Sequence, residues 1–486
     1  MQKHDRICQQ LATIVNSEQV QPWNTLADFL QDQISQAIAL NHTPACIVYP
    51  QTQDELAAIV ACTHENGWTI LPCGNATKLH WGGLAESIDV VISTARLTQI
   101  IEHAVGDLTI TVEAGLTFDA LQQHLAPLGQ WLPLDPSYSN TATIGGILAT
   151  ADAGVLRQRY GGARDMVIGI SMVRSDGALA KAGGRVVKNV AGYDLMKLLT
   201  GSWGTLGIIS QVTLRLYPQQ PASQTVYVTG ATDAIQAVTA SLFASSLTPT
   251  ATTVLSPATA QCLSLWPDDI QQTRDRLNDS LNNLPHTRST DLSTAPLTLA
   301  VRFQSISVSI EQQVEQVMTW AKQQGIQGQV LNSDQEAKFW HQLHTHMDDQ
   351  NGNSPTSSTR QQVTCKVGVA PSQVVSTFAQ LNRLYPGLRG WLNTGNGLGM
   401  IQIEAASLSD TAGQRDRPTI KTVKKMRSLC QSSSGFLSLF AAPQAWKEEL
   451  SPPELWGYMG NAQPVMARLK QQFDPKAILS PGRFLV

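Results

Sequence analysis

The amino-acid sequence predicts an α+β protein built from more than one domain. Its 486 residues exceed what a single hydrophobic core usually supports, so we expect roughly two to four domains. From residue 45 onward, short apolar runs alternate with helical patterns at the lengths found in α/β proteins. After Pro218 the composition shifts towards Gln, Ser and Thr, which indicates a linker and the start of another domain.

The composition excludes several classes of function. A formal net charge of −3 and the lack of a long basic run exclude an electrostatic footprint for nucleic acid. The seven cysteines are scattered without CxxC pairs, and the N-terminus lacks a signal-peptide pattern, which predicts a reduced, cytoplasmic protein. No apolar run is long enough to span a membrane, so any membrane association would come through a partner.

The first half of the chain reads as a helical extension followed by an α/β pattern. Residues 1–40 carry apolar residues on roughly one stripe, which predicts helices. The predicted order after them is strand "ACIVYP", helix "TQDELAAIVACTHENG", strand "WTILP", strand "IDVVIS", strand "LTITVEAG" and helix "TFDALQQHLAPLG". Strand, helix, strand at these lengths favours a parallel pair with a crossover helix.

The second half predicts a separate α+β domain. Its strands and helices include strand "TVYVT", helix "ATDAIQAVTASLF", strand "LTLAVRF" and helix "IEQQVEQVMTWAKQQG". Gly395, Gly397 and Gly399 fall in "GWLNTGNGLGMIQIEA", which we interpret as a hairpin turn and not as a dinucleotide fingerprint, since strands flank it on both sides. The polar stretch 348–362 predicts a mobile loop, and "PVMARLKQQF" predicts a helix near the end of the chain.

Two loops rich in small residues indicate a ligand site. The loop "LPCGNATKLHWGG" (71–83) follows a short buried strand, and its backbone N–H groups could converge on an anion. The loop "DPSYSNTATIGG" (135–146) repeats this chemistry with glycines and with the hydroxyls of Ser137, Thr141 and Thr143. Together with "GYDLMKLLTGSWGTLGII" (192–209), these loops could enclose a large flat ligand that carries a diphosphate.

These motifs resemble a known family. "PCGNATKLHWGG", "ATIGG", "RYGGARD", "GYDLMKLLTGSWGTLGII" and "DPKAILSPGRF" occur in the order found in FAD-linked oxidases of the vanillyl-alcohol oxidase type. Within that family, "GGRVVKNVAGYDLMKL" is most similar to the smaller FAD-binding subunits of bacterial glycolate oxidase (glycolate dehydrogenase). The resemblance covers about residues 41–218 and the last twenty residues, and the region between is assigned by position only.

The resemblance implies an α+β fold with a two-subdomain FAD-binding domain and an α+β cap domain. We expect an N-terminal helical extension over 1–40 and an FAD-binding domain over 41–218, with subdomains 41–95 and 96–218. The cap domain is then 219–425, and a C-terminal segment, 426–486, returns to the FAD-binding domain.

The resemblance also implies which residues contact FAD. The first loop would wrap the diphosphate, the second would lie along the flavin, and the strand "GTLGII" would contact the adenosine. The implied contacts are Gly74, Asn75, Ala76, Thr77, Lys78, Pro136, Ser137, Thr143, Ile144, Gly145, Gly146, Gly207, Ile208 and Ile209.

The sequence departs from the family pattern at three places. Many relatives carry a histidine in the first loop that bonds covalently to the flavin, whereas this chain has Asn75-Ala76-Thr77, which implies noncovalent FAD. His80 lies further along the loop and is the alternative covalent residue. Trp203 and Gly204 stand where an acidic residue is common, and Ser480 stands where asparagine is usual.

The catalytic residues are not evident from the sequence. Oxidation of a 2-hydroxy acid needs a base for the hydroxyl proton and a cation for the carboxylate. Tyr193, Lys188 and Arg164 are candidates, although each also fits a structural hydrogen-bonding role. The histidines at 341, 344 and 346 have metal-ligand spacing, but we interpret them as a solvated helix face and expect no metal site.

The favoured function is that of the FAD subunit of a glycolate dehydrogenase complex. Such a subunit would take part in oxidising a 2-hydroxy acid and pass electrons to partners, namely a larger FAD subunit and an iron–sulfur subunit. The alternatives are a self-sufficient D-2-hydroxy acid dehydrogenase and an assembly subunit that holds FAD without turnover. The preferred acid and the electron acceptor stay open.

Overall fold

The fold was analysed in a computed structural model of the chain. It describes the residues 3–40, 42–184, 194–265, 295–348, 362–405, 419–458 and 460–485. Lys188, Tyr193 and nearly all of the loop predicted over 348–362 lie outside the described residues. In the described part of the chain, no helix has the length and apolar character needed to cross a bilayer.

The described strands and helices follow in chain order. The strands are β1 Val20–Pro22, β2 Cys46–Val48, β3 Ile70–Cys73, β4 Val90–Ser93, β5 Ile100–Ala104, β6 Thr109–Glu113, β7 Gln130–Trp131, β8 Val167–Val173, β9 Leu179–Gly183, β10 Ile208–Arg215, β11 Tyr217–Pro218, β12 Ala222–Gly230, β13 Ala251–Leu255, β14 Leu297–Ser305, β15 Gln327–Val330, β16 Gln362–Gly368, β17 Arg389–Asn393, β18 Leu398–Glu404 and β19 Phe436–Ala441. The helices are α1 Lys3–Leu11, α2 Asp28–Ser35, α3 Gln53–Asn66, α4 Phe118–Leu125, α5 Ile144–Thr150, α6 Arg157–Tyr160, α7 Ala163–Met166, α8 Leu195–Leu199, α9 Thr232–Phe243, α10 Pro257–Cys262, α11 Ser307–Gln323, α12 Ser333–Asp348, α13 Val374–Leu384, α14 Ile420–Ser432, α15 Gln444–Glu449, α16 Pro452–Trp456 and α17 Gln463–Phe473.

The chain divides into two compact units. The first contains residues 1–154, 160–219 and 440–486, and the second contains 155–159 and 220–439. The second unit therefore runs past 425, where the sequence pattern placed the end of the cap domain, because α14 and most of β19 belong to it. Helices and sheets occur in both units, and the predicted α+β class is confirmed.

The first unit begins with a four-stranded sheet of order β1-β2-β4-β3. β2 and β3 both run parallel to β4, as the predicted crossover requires. The connecting helix α3 starts where the Thr52 hydroxyl accepts the Glu55 N–H and ends at Gly67, whose φ of +67° suits glycine. Local sequence therefore sets both ends of α3.

Residues 1–40, for which the sequence pattern predicts helices, also contain a short strand. Residues 20–22 form β1, which pairs antiparallel with β2. Val20 is buried in the same core as Ile7 and Leu11 of α1, so the segment is pinned to the sheet. Pairing with β1 also covers an edge of β2 that would otherwise leave backbone groups unpaired.

The second sheet of the first unit has the order β5-β6-β10-β8-β9, with antiparallel neighbours throughout. One face packs against α4 and α5 through a core that includes Val112, Leu121, Leu148 and Val212. This packing fixes the start of α5 next to the end of β6, where the Gly145 N–H donates to the Ala114 carbonyl at 2.7 Å.

The end of the chain is held against β3. The Ile70 N–H donates to the Ile478 carbonyl at 2.7 Å, and the Ser480 N–H donates to the Ile70 carbonyl at 2.8 Å. Upstream, the buried Asp474 accepts from Lys470 Nζ at 2.5 Å and from the Leu479 N–H at 2.8 Å. These bonds fix residues 478–480 beside the loop that follows β3.

The second unit is built on an eight-stranded sheet of order β15-β12-β14-β13-β17-β18-β16-β19. β17 and β18 form the predicted hairpin. At Gly397 φ is +75°, and a Cβ would lie 1.9 Å from the Val369 carbonyl oxygen. Glycine is required there by the turn itself, which leaves no reason to assign these glycines to a nucleotide.

Candidate functional site

The first unit contains an open cavity with about 760 Å³ of space between its walls, a figure that includes solvent at its mouth. Its walls come from three loop regions, 72–79, 142–150 and 202–209, together with Thr94 and Arg483. Few of the wall residues have large side chains, so the open space follows from the small residues that the sequence places there.

Most of the residues that the sequence pattern assigned to a cofactor meet at this cavity. The lining includes Gly74, Asn75, Ala76, Thr77, Lys78, Thr143, Gly145, Gly146, Gly207, Ile208 and Ile209. Pro136, Ser137 and Ile144 are not among the lining residues. The Ile144 side chain is 2% exposed and packs in the core under the second sheet, because it faces inward from the first turn of α5.

The wall glycines have two different roles. A Cβ on Gly74 would lie 2.1 Å from Thr143 Oγ1, and one on Gly145 would lie 2.9 Å from the Ala114 Cβ. Gly74 therefore lets the first loop approach the second, and Gly145 lets the second loop approach the end of β6. A Cβ on Gly146 would meet only Thr143 Oγ1, at 3.1 Å. Gly146 thus borders open space, which is what a bound ligand needs.

A buried ion pair connects the two loops. Lys78 Nζ lies 2.6 Å from Asp152 Oδ2, and both side chains are almost fully buried. The same carboxylate oxygen accepts the Ser137 N–H at 2.9 Å. Within the described residues, Lys78 Nζ makes no other polar contact, although an ammonium group has three donors. The cavity wall therefore has cationic donors available for an anion.

Arg483 closes the end of the first loop. Its guanidinium donates to the carbonyls of Leu79 at 2.8 Å, Trp81 at 2.9 Å and Gly83 at 3.2 Å. Burial lowers the pKa of Arg483 to about 10, so it stays charged at neutral pH. The sequence pattern did not single out this residue, although the basic residue in the tail motif "SPGRF" is the signal that could have found it.

Lys447, a second buried basic residue, lies on α15 and contacts the same loop. Lys447 Nζ donates to the His80 carbonyl at 2.5 Å, and burial, with a smaller effect of Arg483, lowers the pKa of Lys447 to about 7. Neither Lys447 nor Arg483 forms an ion pair with any described residue. The loop region is thus richer in buried positive charge than in negative charge, which favours an anionic ligand.

His80 is held neutral in this region. Burial lowers its pKa to about 3, and the positive charges of Lys447, Arg483 and Lys78 contribute. Its Nε2 lies 3.3 Å from the Tyr138 hydroxyl, and the two rings meet edge to face with centroids 5.9 Å apart. His80 is not among the residues that line the cavity.

The third wall is formed by a strained turn before β10. Trp203 adopts a φ of +56°, which is uncommon for a large residue, and Gly204 follows with a φ of +70°. The Trp203 ring lines the cavity and packs on Trp456, with ring centroids 4.8 Å apart. Ser202 also lines it, and its buried hydroxyl has no hydrogen-bond partner in the part of the chain that the structure describes.

Of the three candidate catalytic residues, Arg164 alone lies in the described part of the chain. Arg164 lies on α7, is exposed, and does not line the cavity. Lys188 and Tyr193 fall in the range 185–193, outside the described residues. His341 and His344 lie on α12, and no group of three potential metal ligands converges within the described ranges.

The segment that carries the cavity matches a known family of domains. Residues 44–183 match the family described as an FAD binding domain. Among curated relatives, the mitochondrial D-lactate dehydrogenase (cytochrome) of Arabidopsis thaliana is 37% identical over 36% of this chain and 30% of that protein. The D-2-hydroxyglutarate dehydrogenase of Xanthomonas citri pv. viticola is 34% identical over 37% and 38%. The glycolate oxidase subunit GlcD of Bacillus subtilis is 33% identical over 38% and 39%.

The chain spans about a third of the length of the curated relatives it matches. Solved structures extend the likeness of the fold to nearly the whole chain. An alkyldihydroxyacetonephosphate synthase superposes with a TM-score of 0.68 at 17% identity, over 99% of this chain and 85% of that one. Substrate-bound p-cresol methylhydroxylase superposes with a TM-score of 0.68 at 15% identity, over 99% and 97%.

These likenesses confirm the resemblance and the fold predicted from the sequence. The chain shares its fold with the alkyldihydroxyacetonephosphate synthase and the p-cresol methylhydroxylase, and residues 44–183 are similar to the FAD binding domain family.

We expect the substitution Gly146→Val to abolish retention of FAD while leaving the fold intact. The added methyl groups would occupy the open side of the cavity, since only Thr143 Oγ1 lies close to the Cβ position. The measurement is the flavin-to-protein absorbance ratio after gel filtration. Gly106→Val is the control, because nothing lies within 4 Å of its Cβ position. Stoichiometric FAD in Gly146→Val would mean that the ligand lies elsewhere.

We expect the burial of neutral His80 to lower the free energy of unfolding as the pH falls. The pKa of His80 falls from 6.5 to about 3 on folding, so between these values the unfolded chain binds a proton that the folded chain lacks. Stability therefore decreases as the pH falls from about 6.5 towards 3. Urea unfolding at several pH values should show a shallower decrease for His80→Phe. His4→Gln, at an exposed position, should keep the wild-type profile. Equal slopes for wild type and His80→Phe would contradict the assignment.

Proposed function

We propose that this chain binds FAD noncovalently in the cavity and takes part in the oxidation of a small 2-hydroxy acid. We further propose that it does so as the FAD subunit of a glycolate dehydrogenase complex, passing electrons to a larger FAD subunit and an iron–sulfur subunit. One observation carries the first step: the glycine-walled cavity with buried cations is lined in large part by the segment that matches an FAD binding domain.

The residues of the cavity fit FAD in shape and charge. Gly146 borders open space where a flat ring system would lie, and Lys78 and Ser202 present buried polar atoms without hydrogen-bond partners among the described residues. A diphosphate would offset the positive charge of Lys78 and Arg483. We assign the diphosphate to residues 74–78, the flavin to residues 143–146 and the adenosine to residues 207–209.

The protein supplies position and electrostatics, and bound FAD supplies a hydride acceptor for the substrate carbon. Arg483 holds three alternate loop carbonyls, at 79, 81 and 83, and so fixes the path of the loop beside the cavity. Trp203 contributes to one wall, and its ring packs against Trp456 and Phe440. Lys78 lies 2.6 Å from Asp152 and would orient an anionic group through its remaining donors.

The substrate class rests on the curated relatives. Their names specify D-lactate, D-2-hydroxyglutarate and glycolate, which are all 2-hydroxy acids. Lys188 and Tyr193 remain candidates for the base and for the cation that binds the carboxylate. Arg164 would have to act from an exposed position on α7. The D-lactate dehydrogenases among the relatives favour, as the second candidate, a self-sufficient D-2-hydroxy acid dehydrogenase.

Noncovalent binding and a reduced cytoplasmic location are parts of the same proposal. His80 does not line the cavity, which supports a flavin without a covalent histidine. All seven cysteines are free thiols, which supports a reducing environment.

We expect the purified chain to be yellow and to release intact FAD on denaturation. No histidine side chain lines the cavity in the described part of the chain, so no covalent bond to the flavin should form. Acid precipitation followed by absorbance of the supernatant measures this release. Flavin that stays with the precipitated polypeptide would overturn noncovalent binding and would direct attention to His80, for which His80→Gln is the matched variant.

We expect glycolate to bleach the flavin of the isolated chain slowly. A missing general base lowers the rate by about 10²-fold to 10⁴-fold, and no histidine lines the cavity in the described part of the chain. Anaerobic mixing with glycolate, followed at the flavin absorbance band, should show fast bleaching only when the larger flavin subunit is added. Complete bleaching within seconds by the chain alone would favour the self-sufficient dehydrogenase. No bleaching with or without that subunit would favour an assembly role.

A further inference from the structure

Two histidines on neighbouring elements of the first unit face each other. His103 lies on β5 and His124 lies in the last turn of α4. His103 Nδ1 is 3.1 Å from His124 Nε2, and the ring centroids are 5.2 Å apart. Neither residue lines the FAD-binding cavity, and the proposed function makes no use of them.

The tautomer of His103 follows from its other contact. The side-chain nitrogen of Gln130 donates to the Val105 carbonyl at 2.8 Å, which fixes the orientation of the amide. The Gln130 Oε1 then lies 3.0 Å from His103 Nε2 and can only accept, so His103 carries its proton on Nε2. The lone pair of His103 Nδ1 is therefore directed towards His124.

This arrangement matches the way histidine binds metal ions. Metal-bound histidines commonly donate their second ring N–H to an oxygen acceptor, which fixes the ring and raises the basicity of the ligand nitrogen. Gln130 Oε1 is such an acceptor, and Gln130 is 5% exposed, so its position is determined by packing. Exposed His124, in contrast, can rotate and move its proton to Nδ1, which frees Nε2.

The separation of the two nitrogens suits two cis ligands. With zinc–imidazole bonds of about 2.0–2.1 Å, the observed 3.1 Å separation gives an angle of about 98° at the metal. That angle lies between about 90° for square-planar or octahedral coordination and about 109° for tetrahedral coordination. A metal can therefore replace the hydrogen bond with only a small rotation of His124.

We propose that His103 and His124 form a bidentate site for a divalent first-row transition ion such as zinc, with Gln130 as the positioning residue. Imidazole nitrogen favours zinc, copper and nickel over calcium and magnesium. No third His, Cys, Asp or Glu converges on the pair among the described residues, so water completes the coordination. The bound ion links the end of α4 to β5, an edge strand of the second sheet.

The test is calorimetric titration of the full chain with zinc chloride. The exposed Cys262 thiol could also bind zinc, so all variants are made in a Cys262→Ser background. We expect His124→Gln to weaken binding about tenfold or more, because half of the protein ligands are removed. Gln130→Leu should weaken binding by about 10-fold to 100-fold through loss of orientation.

The control is His341→Gln, which removes an exposed histidine from α12 of the second unit and should leave zinc binding unchanged. Thermal melting in the presence of a chelator checks that Gln130→Leu is folded. Absence of zinc binding by the parent chain, unchanged affinity in His124→Gln, or loss of binding in His341→Gln would each overturn the site. Unchanged affinity in folded Gln130→Leu would overturn the positioning role.

Discussion

The buried ion pair between Lys78 and Asp152 is the constraint on which the FAD-binding unit depends. It joins the loop after β3 to the segment after α5, and the same carboxylate holds the backbone of Ser137. These loops are rich in small residues, and their larger side chains, such as Leu79 and Ile144, pack into two different core clusters. Breaking a buried pair by removing one partner typically costs about 3–5 kcal/mol, because the remaining charge is left buried and uncompensated. The pair therefore sets the distance between two walls that hydrophobic packing alone would not fix.

The same constraint explains the electrostatics around the cavity. Arg483 and Lys447 are buried against backbone carbonyls without a carboxylate partner among the described residues, and a protein keeps such charges only where something compensates them. Carbonyl oxygens do part of this, and an anionic ligand would do the rest. His80, surrounded by these cations, is correspondingly held neutral. The region of the cavity thus combines positive charge with open space. A bound anionic cofactor would therefore stabilise the folded protein as well as take part in the reaction.

The sequence predicted those features that depend on neighbouring residues. Helix α3 was predictable because its hydroxyl cap and its terminal glycine are local signals, and the glycine loops were predictable because glycine itself marks close approach of the backbone. β1 was missed because three residues become a strand only when β2 is present to pair with them. Arg483 and Lys447 were missed because their contacts lie about 400 and 367 residues away along the chain. Ile144 was assigned to the cofactor because of its position in a motif, while its side chain points into the core.

The discontinuous first unit has a consequence for how the protein is made. Arg483 is 404 residues from Leu79 along the chain. Most residues of the second unit come between these two positions in the sequence. At a synthesis rate of about 5–20 residues per second, a ribosome completes the tail roughly 20–80 s after the first loop has emerged. During that interval residues 478–480 have not yet been synthesised. The edge of β3 that they cover in the folded protein is then exposed and can pair with other segments. Assembly of the cofactor site is therefore a late event that cannot precede synthesis of Arg483, and the nascent first half is the stage at which molecular chaperones would have the most to protect.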